Sequence, residues 1–367
     1  MKSFFIIKRL SLAIILVLLI ASSPRAQPAE GDPVLGVRIA KGIAAQGRLW
    51  LRGTKMKSRD SQAGGLVSLD LSNETRQAHF EDGVFDIEKS GRDLWALHSL
   101  PGDPRTLAVS VWRARAFEEL TRLTLPENDA AIALLNKDGA PVILTRKAIH
   151  VLASDKRRWR TTALKGELSR GVQISAATPI KGDAIYVGFN MGEFGGGLQR
   201  LNISTGAVAT VEHSEGLCGG LLNTGCSPVT GVIADPQSPD CVLVAVGLVH
   251  LSMSKGRILR VCGQNIAFFF EKPMKISRGS GPELTMSEAV YALVQSESSG
   301  FWAVTWRAVY RFIAGRPTEH SLPKNFKPVS GIYMSRGLPG AVVVQTDINW
   351  SVSTSGYTPL VIPLEGS

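Results

Sequence analysis

The chain is poor in aromatic residues, 7% of 367, and has only four cysteines and six histidines. Four cysteines are too few for a disulfide scaffold that replaces a hydrophobic core. The 37 glycines follow no collagen-like period, and 44% hydrophobic against 20% charged residues excludes a disordered chain. Helical patterning is also scarce. Apart from a weak stretch near Arg113–Arg122 that reads equally as strand, no capped i, i+3, i+4, i+7 stripe occurs. There is no G-x-S-x-G elbow, no C-x-x-C pair and no C-x-x-C-H. His79, His150, His213, His250 and His320 are dispersed without ligand spacing. No Ser-His-Asp set, zinc site or haem motif can therefore be assigned.

Long hydrophobic runs are missing too. The longest, Leu10 to Ala21, is uncharged and follows Lys2, Lys8 and Arg9. Twelve residues of helix rise roughly 18 Å, short of a roughly 30 Å hydrocarbon core. This predicts a signal peptide over residues 1–26, with no transmembrane span left after cleavage, at Ala21-Ser22-Ser23 or after Ala26. The mature chain, residues 27–367, is then periplasmic or secreted, in a bacterial host. Residues 1–26 hold four of the 41 basic residues and none of the 31 acidic ones, so the mature charge falls from +10 to +6. The remaining cations are scattered, with one local cluster from Lys156 to Arg160. No basic stripe interleaved with aromatics exists, which argues against nucleic acid as a partner.

What the chain does have is a repeat. Seven apolar runs recur: LWLRGT from Leu49, LWALHS from Leu94, VILT from Val142, IYVGFN from Ile185, VLVAVG from Val242, FWAVT from Phe301 and VVVQT from Val342. Their starts lie 45, 48, 43, 57, 59 and 41 residues apart. A four-stranded propeller blade takes about 40–50 residues. Each run follows a turn, such as Gln46-Gly47 or Lys137-Asp138-Gly139, and each turn follows another short apolar segment. That is an inner strand, a turn and a second strand. The expected fold is all-β: one seven-bladed β-propeller over residues 27–367, with Pro33–Ile39 closing the ring against the last blade. Six or eight blades are left open by the insertions around the fifth.

The LW-x-x-x-T run with its following turn and hairpin resembles bacterial propeller repeats of the two-component-regulator type. The segment ADPQSPDCVLVAVGLVHLS, Ala234 to Ser252, resembles the blade opening of Asp-box propellers of the sialidase, sortilin and xyloglucanase type. Ser154-Asp155-Lys156-Arg157-Arg158-Trp159 echoes their turn without its glycine. The resemblance implies architecture, and fold alone does not assign activity.

Several residue groups could carry function. All four cysteines lie between Cys218 and Cys262, and an exported chain with an even count favours disulfides. Cys218–Cys226 would staple a loop and Cys241–Cys262 would join two strands of one hairpin, with crossed pairing as the competitor. The glycine-rich segment Asn190 to Gly197 would be either a ligand loop with Glu193 supplying charge, or a turn that bends a hairpin and tucks Phe194 against a neighbour. His98, Arg146, Trp306, Arg307 and Asp347 fall at corresponding blade ends, and with Asn190 and Glu193 they would form a binding face. Lys55–Asp60 adds a basic loop to the same end. Asp82, Asp129 and Glu288 each begin an inner strand, where they could hold a divalent cation or accept turn amides. No other cofactor is expected.

The reading that follows is an exported non-catalytic propeller binding a protein, peptide or glycan on its loop face. The alternative is a hydrolase, lactonase or lyase built around a metal or carboxylates in the channel. The two separate on whether Asp82, Asp129, Glu193 and Glu288 converge.

Overall fold

The computed structural model describes residues 34–35, 38–54, 63–70, 72–73, 75–155, 158–169, 173–250, 253–276, 284–296, 300–305, 307–322, 333–335, 340–347 and 356–363. The expected signal peptide, the loop Lys55–Asp60 and Trp306 lie outside them.

The described chain is built from antiparallel strands, with one short 3-10 turn at Gly192–Phe194. The first sheet holds β1 (Arg38–Ala45), β2 (Arg48–Thr54), β3 (Gly64–Asp70), β4 (Thr75–Ser90), β5 (Asp93–Leu100), β6 (Asp103–Arg113) and β7 (Ala116–Thr124) in sequential order. The long β4 serves two sets: its first half pairs with β3 and its second half with β5. Next come β8 (Ala131–Lys137), β9 (Ala140–Thr145), β10 (Ala148–Leu152) and β11 (Trp159–Ala163). A further sheet holds β12 (Gln173–Pro179), β13 (Ala184–Asn190), β14 (Gly196–Asn202) and β15 (Val208–Val211). A small hairpin, β16 (His213–Glu215) with β17 (Gly219–Leu222), precedes the sheet of β18 (Val229–Asp235), β19 (Ser238–His250), β20 (Met253–Cys262) and β21 (Asn265–Phe270). A second hairpin, β22 (Pro273–Ile276) with β23 (Leu284–Ser287), precedes β24 (Val290–Gln295), β25 (Gly300–Thr305), β26 (Ala308–Ile313) and β27 (Arg316–Ser321). The last sheet holds β28 (Tyr333–Ser335), β29 (Gly340–Asp347) and β30 (Gly356–Pro363).

The seven apolar runs read from the sequence lie in β2, β5, β9, β13, β19, β25 and β29, the second strand of each set. Packing explains why they are continuous rather than alternating. Leu94 and Ala96 face Trp50 and Leu66, while Trp95 and Leu97 face Ile143 and Leu134 of the next sheet. Likewise Ile185 and Val187 meet Val142 and Leu144, while Tyr186 meets Val242 and Val244. A strand buried on both faces needs apolar residues at every position, and each side chain so buried contributes about 1.5–3 kcal/mol. The outermost strands are different. β7, AFEELTRLT, and β27, RPTEHS, are polar and largely exposed, as edges that avoid further pairing must be.

The first strands of successive sets touch in a cycle: β1 packs on β4, β4 on β8, β8 on β12, β12 on β18, β18 on β24, β24 on β28 and β28 on β1. Six of them share a bulge near the start of pairing with the second strand, at Ile39/Lys41, Val84/Asp86, Ala131/Ala133, Ile174/Ala176, Val229/Gly231 and Val290/Ala292. A bulge turns one side chain out of the sheet. Ser175 and Thr230 occupy such positions, and their hydroxyls donate to the carbonyls of Val229 and Val290 on the next set. Of the segment expected to close the ring, Pro33, Gly36 and Val37 lie outside the described residues. Leu35 packs against Leu49, Leu51 and Val67, and β1, which begins with Arg38 and Ile39, contacts β28 of the last sheet.

Candidate binding face

One end of the molecule carries tight turns and the other carries the insertions. At the first end, Gln46-Gly47 and Asp138-Gly139 adopt positive φ, as two-residue hairpins require. The other end gathers the β9–β10, β13–β14, β19–β20 and β25–β26 connections together with the inserted hairpin β16–β17.

Two of these turns share one hydrogen-bond pattern. Thr145 Oγ1 donates to Asp129 Oδ2 at 2.8 Å and accepts the amide of Ala148 at 3.0 Å. Thr305 Oγ1 lies 2.8 Å from Glu288 Oε2 and accepts the amide of Ala308 at 3.2 Å. Asp129 also accepts the amides of Ala130 and Lys147. Glu288 is buried and also takes Tyr310 Oη at 3.3 Å. Burial, with the charges of Glu288 and Glu319, pushes the Tyr310 phenol well above its ordinary pKa. Asp82 caps the amide of Gly83. These acids thus satisfy the turns and strands of their own sheets. Among the described residues no three His, Cys, Asp or Glu side chains gather closely enough to hold a metal ion.

The other residues expected to form a binding face are spread over different sheets. His98 lies within β5, with Nε2 2.9 Å from Ser110 Oγ and its ring against Phe80. Burial lowers its pKa. Arg146 sits on the exposed β9–β10 turn and Arg307 on the matching β25–β26 turn. Asp347 ends β29, paired through its backbone with Gly356.

Asn190 and Glu193 are brought into one cluster. Asn190 Oδ1 accepts the amide of Gly192 and shapes the turn. Glu193 Oε2 meets His250 Nε2, at the end of β19, at 2.8 Å. The glycines of this loop let it lie against protein. At Gly195, with φ of 90°, a Cβ would come within 2.3 Å of the Thr224 carbonyl oxygen, and at Gly197, with φ of 92°, within 2.7 Å of the Thr224 methyl. Thr224 belongs to the loop closed by the Cys218–Cys226 disulfide. The second disulfide joins Cys241 of β19 to Cys262 of β20, beside the Val242–Val261 pair. Both pairings are those expected. Phe194 is not tucked away; it is 70% exposed.

The two segments that meet through the Glu193–His250 pair each carry exposed apolar residues, Met191 and Phe194 on the β13–β14 loop and Val249 and Met253 on the β19–β20 hairpin. Leu217, 94% exposed, caps the neighbouring β16–β17 hairpin. These are five of the seven large hydrophobic residues exposed among those described. The loop behind them is rigidly held. Asn223 is buried, donates to Ser214 Oγ and the Leu217 carbonyl, and accepts the amide of Gly225. Arg257 donates from β20 to the carbonyls of Leu221 and Gly220.

Sequence reasoning missed His250 and Arg257, which act across elements distant in sequence, and Asn223, whose partners lie within nine residues of it in a loop without a periodic pattern. It also missed a charged ladder on the inner strands. Lys41 of β1 lies 3.2 Å from Asp86 and 3.0 Å from Glu88, both on β4. Burial works to lower the Lys41 pKa, yet the two carboxylates raise it above the ordinary lysine value. Asp86 Oδ2 also accepts the amide of Leu134 on β8, so one carboxylate links three successive sets. Alternation around a bulge was the one available signal, and it is weak in a single strand.

The two disulfides fit an oxidising, extracytoplasmic compartment. No described helix is long and apolar enough to cross a membrane. No protein-family model matches the chain, and no curated protein sequence does. Among solved structures, the Pan2 WD40 domain of Neurospora crassa is similar at 12% identity and a TM-score of 0.51, over 91% of each chain. The β-propeller domain of the trilobed protease from Pyrococcus furiosus is similar at 8% identity and a TM-score of 0.48, over 91% of this chain and 96% of that one. The extracellular domain of a hybrid two-component system, BT4673 of B. thetaiotaomicron, is similar at 12% identity and a TM-score of 0.49. That match covers 90% of this chain, which spans only 39% of the BT4673 domain. At such identities likeness speaks to fold and not to activity: the chain has an all-β propeller fold.

Proposed function

We propose that the chain is an exported, non-catalytic, seven-bladed propeller that binds a protein or peptide on its loop face, in the periplasm or outside the cell. Seven second-strand runs and the cycle of seven first strands support the blade number. The observation that carries the binding role is that Met191, Phe194, Leu217, Val249 and Met253 are all exposed on connections at this one end. Exposed apolar residues concentrated at one place mark interaction surfaces. These residues are aliphatic with one aromatic ring, and the loop that follows Leu217 is closed by a disulfide. Such a surface suits the apolar centre of a protein interface better than a glycan.

The test is comparative capture. The oxidised mature protein and a Phe194→Ser/Leu217→Ser variant would be crosslinked in periplasmic extract. Both side chains are exposed, so the variant should melt within about 1 °C of the wild type, as surface changes do. One partner held by the wild type and lost from the variant supports the reading. Equal capture by both proteins, or capture by neither, refutes it.

A further inference from the structure

Between the β8–β11 and β12–β15 sheets lies a cavity of about 460 Å³ on the same face, within the roughly 300–1,000 Å³ typical of small-molecule sites. We propose that it binds a small carboxylate joined to an apolar group. This inference does not rest on the partner-binding reading.

The chemistry follows from the lining. Arg146 and Lys147 stand on the β9–β10 turn, and Glu167 stands on the β11–β12 connection. Among the described lining residues the charged side chains are Arg146, Lys147 and Glu167, and a phosphate has no hydrocarbon group to lay against the apolar ones. Arg146 and Lys147 each bring positive charge and N–H donors suited to a carboxylate. Ile132, Leu164, Leu168 and Ile174 form walls suited to a hydrocarbon group.

The walls are fixed before any ligand arrives. The Lys147 amide is held by Asp129, and the Lys147 carbonyl accepts the amide of Leu164. Lys165 donates its amide to the Gly206 carbonyl. Buried Gln199 on β14 takes the amide of Ser169 and donates to the carbonyl of Glu167. Ordering already accomplished in the free protein is not charged against binding.

The test is calorimetric titration of the oxidised mature chain with five probes: hexanoate, hexanamide, N-acetyl-leucine, glucuronate and inorganic phosphate. Hexanoate or N-acetyl-leucine should bind, with hexanamide, glucuronate and phosphate weaker by roughly tenfold or more, as expected for loss of a charge-assisted contact or of wall burial. Tighter binding of N-acetyl-leucine would identify a peptide C-terminus as the source of the carboxylate, and tighter binding of hexanoate a free acid. Arg146→Ala and Lys147→Ala should each weaken the best probe by about tenfold. Arg115→Ala, on the exposed β6–β7 turn at the other end of the molecule, should not. Ile132→Trp should block the apolar probes without affecting Arg146. The proposal is overturned if no probe binds at millimolar concentration, if phosphate or glucuronate binds as tightly as hexanoate, or if affinity survives the Arg146 and Lys147 substitutions in folded protein.

Discussion

Replacing Thr305 with valine tests how these turns are held. The change keeps the shape and removes one hydroxyl. That hydroxyl lies 2.8 Å from Glu288 Oε2, and it is the acceptor of the Ala308 amide. Both Thr305 and Glu288 are buried, so water cannot readily replace the lost contacts. A hydrogen bond to a charged group contributes about 1.5–3 kcal/mol, so the expected loss is about 2 kcal/mol. Thr145→Val removes the same pattern, but its acid, Asp129, is partly exposed. There the loss should be about 1 kcal/mol, near the value of an ordinary hydrogen bond. With about 2.1 cal/mol/K of unfolding entropy per residue over roughly 340 residues, 1 kcal/mol moves Tm by about 1.4 °C. Differential scanning calorimetry should therefore read a drop of about 3 °C for Thr305→Val and about half that for Thr145→Val. Combining Thr305→Val with Glu288→Gln should cost less than the sum of the single changes, by about 1 kcal/mol of coupling. Equal losses for the two threonines, or strict additivity with Glu288→Gln, would refute the argument from burial.

Three further outcomes are expected. Removing the Cys241–Cys262 bond, 21 residues apart in sequence, should cost about 3 kcal/mol on the loop-entropy account, read as a fall in the urea midpoint. Removing Cys218–Cys226 should cost somewhat less and act locally, exposing Leu217 to Thr224 to a probe protease before global unfolding. Gly195→Ala or Gly197→Ala should push the β13–β14 loop off Thr224, seen as faster proteolysis there and loss of partner capture, with the core sheets still folded by circular dichroism. The third concerns pH. Burial, then the charge of Arg48, lowers His79 from 6.5 to about 4, and burial also lowers His98 and His150. The unfolded chain therefore takes up these protons first. Stability is intact above about pH 6.5 and falls as pH drops toward 4. His79→Gln should flatten the decline of Tm across that window, and an unchanged slope would remove His79 from the account.

The sequence by itself determined the strand repeat, because second strands buried on both faces must be apolar at every position. LWLRGT and VLVAVG could not have been solvent-facing strands. It also narrowed the local chemistry: the acids before inner strands could cap turns or hold a cation, and short-range cysteine pairs, 8 and 21 residues apart, competed with crossed pairing until the fold settled both bonds. Tertiary structure alone decided what these pieces share. The glycines of Gly195–Gly197 read as a hairpin bend ahead of ligand approach, and only the fold shows Gly195 and Gly197 making room for Thr224. Phe194 looked like a residue to be tucked away, yet it is 70% exposed. Lys41 and Asp86 are 45 residues apart and meet only because neighbouring first strands pack together. Arg146 and Glu167 face one cavity because two sheets meet there. Periodicity records which face of a strand is buried. It does not record which distant segment covers that face, and the candidate surfaces of this molecule are made of such meetings.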